Sequence, residues 1–273
     1  MLTPEKVAAF QKLIYSYYRE YGRILPWRKV NDPYHILVSE MMLQQTQVER
    51  VIEKYKQFIR VFPDFASLNM APLYQVLEVW HGLGYNRRAV ALKKTARIIA
   101  DTFNGMFPRH LKDLMALPGV GRATAAAISA FAFNEPVVFI ETNVRSVFIH
   151  VFFQDEKDVK DNDIYPLVEE TLDRSDPREW YYALMDYGAM LKKNFNNPNR
   201  KSAHHQQQTP FEGSNRQLRG MILKILIENP TISESELICK VKRDSKSVQK
   251  NLTQLEKEGF FQRRGNEFII SSV

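Results

Sequence analysis

The sequence is poor in cysteine and in long apolar runs. Cys239 is the only cysteine among 273 residues, which excludes an intrachain disulfide framework and an iron–sulfur cluster held by four thiolates of this chain. No stretch approaches the roughly 20 apolar residues of a membrane-spanning helix, so no membrane partner is expected. Residues 1–23 are charged and amphipathic, without the apolar core or cleavage site of a signal peptide. We therefore expect a cytoplasmic protein.

Long alternation of apolar and polar residues is also missing before position 193, so a substantial sheet is not expected there. Apolar residues recur instead at helical spacing, punctuated by proline and glycine. This pattern predicts an all-α first domain over residues 1–193. Its helices are predicted over Pro4–Arg23, Pro33–Phe62, Ala71–His81, Arg87–Phe103, Leu111–Ala116, Arg122–Phe131, Asn143–Phe153, Tyr165–Asp173 and Glu179–Leu191.

The pattern changes after the first domain. Residues 194–214 are polar and rich in asparagine and glutamine, which predicts a linker. Residues 215–273 then predict a second domain with helices over Arg216–Glu228, Ser233–Val241 and Ser245–Glu258. A β-hairpin is predicted around Gly265-Asn266, between strands 260–264 and 267–271. Three short helices followed by a hairpin resemble a winged helix, a small α+β domain.

The composition favours a folded, basic protein. Hydrophobic residues make up 44% of the chain, and the formal net charge is +7, which is compatible with a sizeable core and a polyanionic partner. Charge alone does not identify that partner, because many basic proteins bind no nucleic acid.

The most informative segment is Leu114–Ala127, in which an apolar helix end, a Gly-x-Gly turn and an alanine-rich helix follow one another. Such a turn lets backbone N–H groups approach a phosphate, and the second helix adds its positive dipole end. The alternative is an ordinary turn between two helices. The small residues after Gly121 favour phosphate binding.

Leu117–Thr124 resembles the helix-hairpin-helix motif of the DNA glycosylase superfamily that includes endonuclease III and the MutY-type adenine glycosylases. The resemblance covers about residues 25–191. Segments 25–28, 33–34, 39–48, 82–85 and 185–190 are most similar to the MutY type. The resemblance implies a two-lobed, all-α helix-hairpin-helix glycosylase fold, here followed by the winged helix. It also implies that the partner is double-stranded DNA with a mismatched or damaged base, bound by a monomer.

The resemblance implies that Glu40 is the acid that protonates a flipped base, with Arg28 and Leu43 in the base pocket. An isolated glutamate on a helix is otherwise usually a solvated surface residue. A second carboxylate, near the sugar, would stabilise the oxocarbenium ion. Glu141 is the candidate, supported by Asn143, although the superfamily has aspartate at this position.

The longer side chain of Glu141 leaves several interpretations open. In the first interpretation, Glu141 replaces the aspartate in an active enzyme whose pocket has a different shape. In the second, the enzyme acts on another substrate. In the third, the protein binds lesions with little turnover. A purely structural alternative is that Glu141 or Thr142 caps the helix that begins near Asn143.

The resemblance also assigns the DNA contacts. Gln45 and Tyr85 are implied to enter the base stack, although Tyr85 is alternatively part of the core. The phosphate-binding residues are Gly119, Val120, Gly121, Arg122 and Thr124. Ala123 replaces the lysine with which bifunctional relatives cleave the strand, so we expect a monofunctional enzyme that leaves an abasic site.

The expected function is therefore base excision repair by a DNA glycosylase that removes adenine opposite guanine or 8-oxoguanine. No metal and no cofactor are expected, because the cysteines that hold a [4Fe–4S] cluster in many relatives are absent. The protein would associate with the nucleoid in a prokaryote. Two alternatives stay open: a thymine or uracil glycosylase acting on T·G or U·G pairs, and a non-catalytic damage-binding protein.

Overall fold

A computed structural model describes residues 1–207, 210–229, 232–265 and 267–270. The chain divides into two compact units. The first consists of Met1–Ile36, Arg109–Ala116 and Val120–Gln207, and the second of Leu37–Pro108, Leu117–Gly119 and Gln208–Val273. In the part of the chain that is described, no helix is both long and apolar enough to cross a membrane.

The first unit is built around two helices that pack together, α9 (Thr142–Phe152) and α11 (Pro177–Asn194). Phe10 of α1 (Pro4–Tyr21) joins them, since its ring lies 5.3 Å from the ring of Phe148 and 5.8 Å from that of Trp180. Side chains of Thr3 and Asp176 cap the starts of α1 and α11, each followed by a proline in the first turn. The helices of this unit are α1 (Pro4–Tyr21), α7 (Leu111–Ala116), α8 (Arg122–Phe133), α9 (Thr142–Phe152), α10 (Asp161–Thr171) and α11 (Pro177–Asn194).

The second unit begins within α2 (Pro33–Leu43) and continues through α3 (Val48–Val61), α4 (Phe65–Met70), α5 (Leu73–Trp80) and α6 (Arg87–Phe103). Phe58 and Trp80 are fully buried and meet edge to face, with ring centroids 5.9 Å apart. Burial of these large rings contributes hydrophobic free energy to the core of this part.

One predicted helix, Pro33–Phe62, is wrong. The chain forms two helices, α2 and α3, separated by residues 44–47. Gln45 has φ 56°, in the left-handed region, which no α-helix accommodates. Residues 44–47 are polar and include neither proline nor glycine, so no helix breaker marks the break in the sequence. The short helix α4, capped by Asp64, was not predicted either.

The C-terminal residues form the predicted small α+β arrangement. Helix α12 (Asn215–Glu228) precedes β1 (Ile232–Ser233), α13 (Glu234–Val241), α14 (Ser245–Lys257), β2 (Phe261–Arg264) and β3 (Glu267–Ile270). The strands form an antiparallel sheet in the order β1-β3-β2, with Phe261 opposite Ile270 and Ile232 opposite Phe268. Asn266 of the predicted turn and Ser271 of the predicted strand lie outside the described residues. Three helices with a β-hairpin agree with the winged-helix prediction.

Candidate functional site

Glu141 lies immediately before α9 and caps it. Its carboxylate accepts hydrogen bonds from the main-chain N–H groups of Asn143, at 2.7 Å, and Val144, at 3.0 Å. The side-chain amide of Asn143 donates to the other carboxylate oxygen at 3.1 Å. Three donors and the positive end of the helix therefore hold a negative charge at a fixed position. The cap predicted as the structural alternative is present, and it also orients the carboxylate.

Asn143 is held in turn by the close approach of α11. A Cβ added to Gly188 would overlap the main-chain carbonyl of Asn143 at a distance that real side chains do not adopt. The side-chain oxygen of Asn143 is buried and has no hydrogen-bond partner among the described residues. An amide oxygen in this state has its acceptor capacity available for a ligand or a water molecule.

A lysine lies near this carboxylate. Burial lowers the pKa of Lys192, and repulsion from Arg23 adds to this effect, whereas attraction to Glu141 opposes it. Lys192 of α11 is thus a cationic neighbour of the Glu141 carboxylate. The sequence analysis did not predict this pairing.

Arg28 is held in the first unit by a buried ion pair. Its guanidinium donates to both carboxylate oxygens of Asp186, at 2.8 and 2.7 Å, and lies 4.5 Å from the ring centroid of Tyr182. Arg23 binds the same carboxylate through its main chain and its side chain. Burial alone would raise the pKa of Asp186, but Arg28 and then Arg23 outweigh it, and the pKa lies below its usual value. Asp186 thereby fixes the position of Arg28.

Glu40 and Leu43 lie in the second unit, on α2. The side chains around Glu40 in the sequence, Val38, Ser39, Met41 and Met42, are buried, whereas Glu40 itself is half-exposed. A carboxyl group on an otherwise apolar helix is thus partly open to solvent or substrate. Leu43 ends the helix, and its carbonyl accepts the N–H of Thr46 at 3.2 Å.

Gln45 and Tyr85, the predicted intercalating residues, both adopt left-handed backbone conformations, with φ values of 56° and 47°. Such conformations are strained for residues other than glycine and persist only where the surroundings hold them. Gln45 is exposed and Tyr85 is half-exposed. The second unit therefore carries two constrained loop tips, each with a side chain at least partly outside the core.

Arg88 holds both loops. Its buried guanidinium donates to the main-chain carbonyl of Gln44 at 2.6 Å and to that of Gly84 at 2.8 Å. It also binds the following groups: the carbonyls of Met41, Met42 and Leu83 and the hydroxyl of Thr46. Burial lowers the pKa of Arg88 to about 10, which leaves it charged at neutral pH. One cation thus fixes the geometry of the two loop tips.

The helix-hairpin-helix turn has an exposed surface at the predicted phosphate-binding residues. Gly119 has φ 77°. A side chain at this position would overlap the side chain of Met41, so the absence of a Cβ is required here. Gly121 precedes α8 and offers no side chain to cap it, so the first N–H groups of α8 have no side-chain cap. Gly119, Gly121 and Arg122 are exposed, Thr124 is half-exposed and Val120 is buried. The turn therefore presents backbone donors and one cation.

The segment after α11 does not fit an iron–sulfur cluster. Asn199 is buried there, and its side-chain amide donates to the carbonyl of Thr142 at 2.9 Å and to the hydroxyl of Ser146. Residues 201–203 pair with Val159 through main-chain hydrogen bonds. Within the described ranges no group of three or more His, Cys, Asp or Glu residues could hold a metal ion. Hydrogen bonds to α9 hold this segment where many relatives are expected to have cysteine ligands.

Comparison with known proteins matches the central part of the chain to a protein family. Residues 38–169 match the family model described as HhH-GPD superfamily base excision DNA repair protein. These residues form an HhH-GPD domain. The domain contains Glu40, both constrained loops, the helix-hairpin-helix turn and Glu141.

Individual relatives extend the match. The chain is 37% identical over 187 residues to an adenine DNA glycosylase of Buchnera aphidicola subsp. Baizongia pistaciae, covering 67% of this chain and 52% of the relative. The chain thus spans about half the length of this relative. A thermostable thymine-DNA glycosylase structure is similar with a TM-score of 0.62 and 27% identity, over 68% of this chain and 87% of that one. An endonuclease III–DNA structure has a TM-score of 0.54 at 21% identity, over 77% and 92% of the two chains, and shows the shared fold.

The structure brings some predicted residues together. Glu141 and Asn143 are in direct contact, and Gln45 and Tyr85 lie on loops bound by one arginine. Sequence reasoning missed the structural roles of Arg88 and Asp186. The sequence did contain a signal for the role of Arg88, because Arg88 lies on the same buried side of α6 as Leu92 and Ala96. A buried cation needs several hydrogen-bond acceptors.

Proposed function

We propose that the protein is a monofunctional DNA glycosylase of base excision repair that removes adenine opposite guanine or 8-oxoguanine. The observation that carries the proposal is the carboxylate of Glu141, held at the start of α9 by Asn143 and Val144. A fixed negative charge of this kind stabilises the sugar cation that develops as an N-glycosidic bond breaks. The adenine specificity rests on the similarity to adenine DNA glycosylases.

Asn143 is proposed to act with Glu141 on the attacking water. Its amide nitrogen donates to the carboxylate, and its buried oxygen has no partner among the described residues. A water bound to that oxygen and to Glu141 would donate two hydrogen bonds, which would orient a lone pair of the water toward the sugar. Addition of this water to the sugar cation, with release of one of its protons to solvent, then yields an abasic site.

Glu40 is proposed to protonate the departing base. A half-exposed carboxyl group on an apolar helix suits general acid catalysis, because the base leaves as a neutral molecule only after it is protonated. Leu43, on the same helix, and Arg28, fixed by Asp186, are proposed pocket residues. The proposed mechanism thus uses one carboxyl group as an acid and the other as a permanent charge.

Duplex DNA is the proposed partner. Gln45 and Tyr85 would fill the base stack when the nucleotide is extruded, and their constrained backbones favour this role because little ordering remains to be done on binding. The turn at Gly119, Val120, Gly121, Arg122 and Thr124 would hold a phosphate without reading the base sequence. Ala123 carries no amine for strand cleavage.

We further propose a cofactor-free monomer that acts on cytoplasmic or nucleoid DNA, with a glycosylase domain over residues 1–193, a linker over 194–214 and a winged-helix domain over 215–273. The single cysteine and the hydrogen-bonded segment around Asn199 support the absence of a cluster. Metal analysis of protein purified without oxygen tests this point. Iron well below one atom per chain is expected, whereas stoichiometric iron and sulfide would refute it.

A duplex panel tests the activity. Duplexes with A·G, A·8-oxoguanine, T·G, U·G or fully matched pairs are incubated with the protein and then treated with alkali, which cleaves at abasic sites. Strand breaks at adenine that depend on alkali are expected. Breaks that appear without alkali would contradict the monofunctional assignment.

Specific observations support two alternative functions. The similarity to a thymine-DNA glycosylase structure favours thymine or uracil removal, which cleavage of T·G or U·G but not A·G duplexes would establish. The occupation of the Glu141 carboxylate by its helix favours a non-catalytic damage-binding protein. Tight binding to mismatched duplex without base release in a single turnover would establish that function.

A further inference from the structure

The start of α12 lies against the loop that carries Tyr85. Arg216 donates a hydrogen bond to the Tyr85 hydroxyl at 3.0 Å, and its guanidinium lies 5.6 Å from the centroid of the Tyr85 ring. Both residues belong to the second unit. The constrained loop tip and the beginning of the C-terminal helices therefore share one surface.

A polar groove continues from this contact. It has a volume of about 740 Å³ and is lined by the starts of α12 and α14, including Ser214, Gln217, Arg243, Ser247 and Lys250. Arg243 donates to the side chain of Gln217 at 3.2 Å and so joins the two sides. Because Gln217 follows Arg216 directly, the groove adjoins the Tyr85 contact.

The groove is flanked by cations that the protein leaves uncompensated. Lys242, Arg243, Lys246 and Lys250 are exposed, and none of them forms an ion pair with a described residue. Asp244, which lines the groove, caps α14 by accepting the N–H of Ser247 at 2.8 Å, and Glu212 accepts a hydrogen bond from Gln217 at 2.9 Å. These four residues and the groove are called the α14 face below.

Three cations elsewhere in the C-terminal segment form ion pairs. Arg219 binds Glu258, Lys224 lies 3.7 Å from Glu228, and Arg263 contacts both Glu234 and Glu256. These acidic residues thus neutralise cations that do not line the groove. This distribution concentrates positive potential on the α14 face.

The chemistry of α14 favours nucleic acid over protein. Its exposed side chains are all polar, and its apolar side chains Val248, Leu252 and Leu255 are buried. A protein partner would need apolar or aromatic anchors at the centre of the contact. Phosphates need only cations, hydroxyls and amides, which this face supplies.

We propose that Arg216 and the α14 face bind the phosphates of the duplex next to the nucleotide at Tyr85, so that the C-terminal domain lengthens the footprint on DNA. This inference rests on the proposed function for the placement of DNA at Tyr85, although binding itself needs no base excision. Each cation that contacts a phosphate steepens the salt dependence of binding by about 0.9 in log K against log salt.

The test compares two charge-matched double variants of the full chain. Lys246→Gln with Lys250→Gln removes two cations of the α14 face, and Lys224→Gln with Lys240→Gln removes two exposed lysines that do not line the groove. Affinity is measured against salt on an undamaged duplex and on a duplex with a tetrahydrofuran abasic-site analogue. Each duplex is used in a long form and in a form cut to about one helical turn, about 10 base pairs.

The α14-face variant is expected to lower the salt slope by about 1.8 on the long duplexes, twice the value for a single phosphate contact, and to change it little on the short ones. The control variant is expected to keep the slope of the unmodified protein. Equal slopes for the two double variants on long DNA would overturn the inference. A slope difference in a protein that releases no base would refute the proposed function and leave this inference standing.

Discussion

Gly188 of α11 lies directly against the main-chain carbonyl of Asn143 at the start of α9. The approach is possible because glycine has no Cβ. Asn143 in turn donates two hydrogen bonds to Glu141. The packing of two helices in the first unit thus determines where the candidate catalytic carboxylate lies.

Gly188→Ala is expected to impair excision strongly. The added Cβ forces α9 and α11 apart, and displacement of a catalytic group by about 1 Å costs on the order of a hundredfold in rate. Overpacking should also cost about 1–3 kcal/mol of unfolding free energy. Single-turnover excision and thermal unfolding measure the two effects.

Gly220→Ala is the matched control, because a Cβ at Gly220 on α12 meets no atom within 4 Å. This variant should keep its excision rate and gain up to about 1 kcal/mol in stability, since alanine favours a helix. An unaltered rate in Gly188→Ala would show that the contact does not position Glu141.

Arg88→Lys is expected to weaken lesion binding at least tenfold. A lysine offers three donors at one point and cannot reach the seven acceptors that the guanidinium binds, so the loops of Gln45 and Tyr85 lose their fixed geometry. Carbonyls left buried without donors cost about 1–3 kcal/mol each. Affinity for an abasic-site duplex and urea unfolding report the loss.

Arg87→Lys provides the comparison, because Arg87 is the exposed neighbour on the same helix. It should bind DNA and unfold like the unmodified protein. If Arg88→Lys behaved in the same way, the loops would not depend on the buried guanidinium.

Asp186→Asn is expected to destabilise the protein by about 3–5 kcal/mol at neutral pH, because the buried Arg28 loses its counter-charge. The folded pKa of Asp186 lies below the unfolded value, which is about 3.9. Its contribution is therefore complete above that value and is lost as the pH falls through the folded pKa.

Urea unfolding from pH 7 to pH 3 measures this dependence. The stability difference between the protein and Asp186→Asn should narrow below about pH 4, whereas Asp155→Asn, at an exposed site, should show no comparable effect. A difference that stays constant over the whole range would contradict the ion-pair account.

Asn199→Ala is expected to release the segment after α11. The variant loses the bonds from its amide to Thr142 and Ser146, each worth about 0.5–1.5 kcal/mol, while the Ser146 hydroxyl still donates to the Thr142 carbonyl. Hydrogen exchange in residues 195–203 should accelerate, while Asn196→Ala, at an exposed position, should leave it unchanged. Unchanged exchange in Asn199→Ala would mean that other contacts hold the segment.

Much of the fold followed from apolar periodicity and from proline and glycine. Helix α7 was predicted with its exact bounds, and α6 likewise, because strong breakers flank both. The break at Gln45 was missed, since a buried cation 43 residues away in sequence stabilises the left-handed turn. Tertiary contacts of this kind leave no local pattern.

The candidate residues Glu40 and Glu141 came from family resemblance, and residue pattern alone would have assigned them to surface and cap. The support of Glu141 by Asn143 was likewise implied by the resemblance. The constraint from Gly188 could not, because it depends on how closely α11 approaches α9.

The most direct test of the central claim is adenine release from an A·8-oxoguanine duplex under single-turnover conditions, by the unmodified protein and by Glu40→Gln and Glu141→Gln. Alkali should reveal breaks at adenine with the unmodified protein, and each variant should be slower by about 10²-fold or more, because each lacks an acid or a charge that acts in the transition state. Release at the unmodified rate by both variants, with their fold intact, would contradict the account.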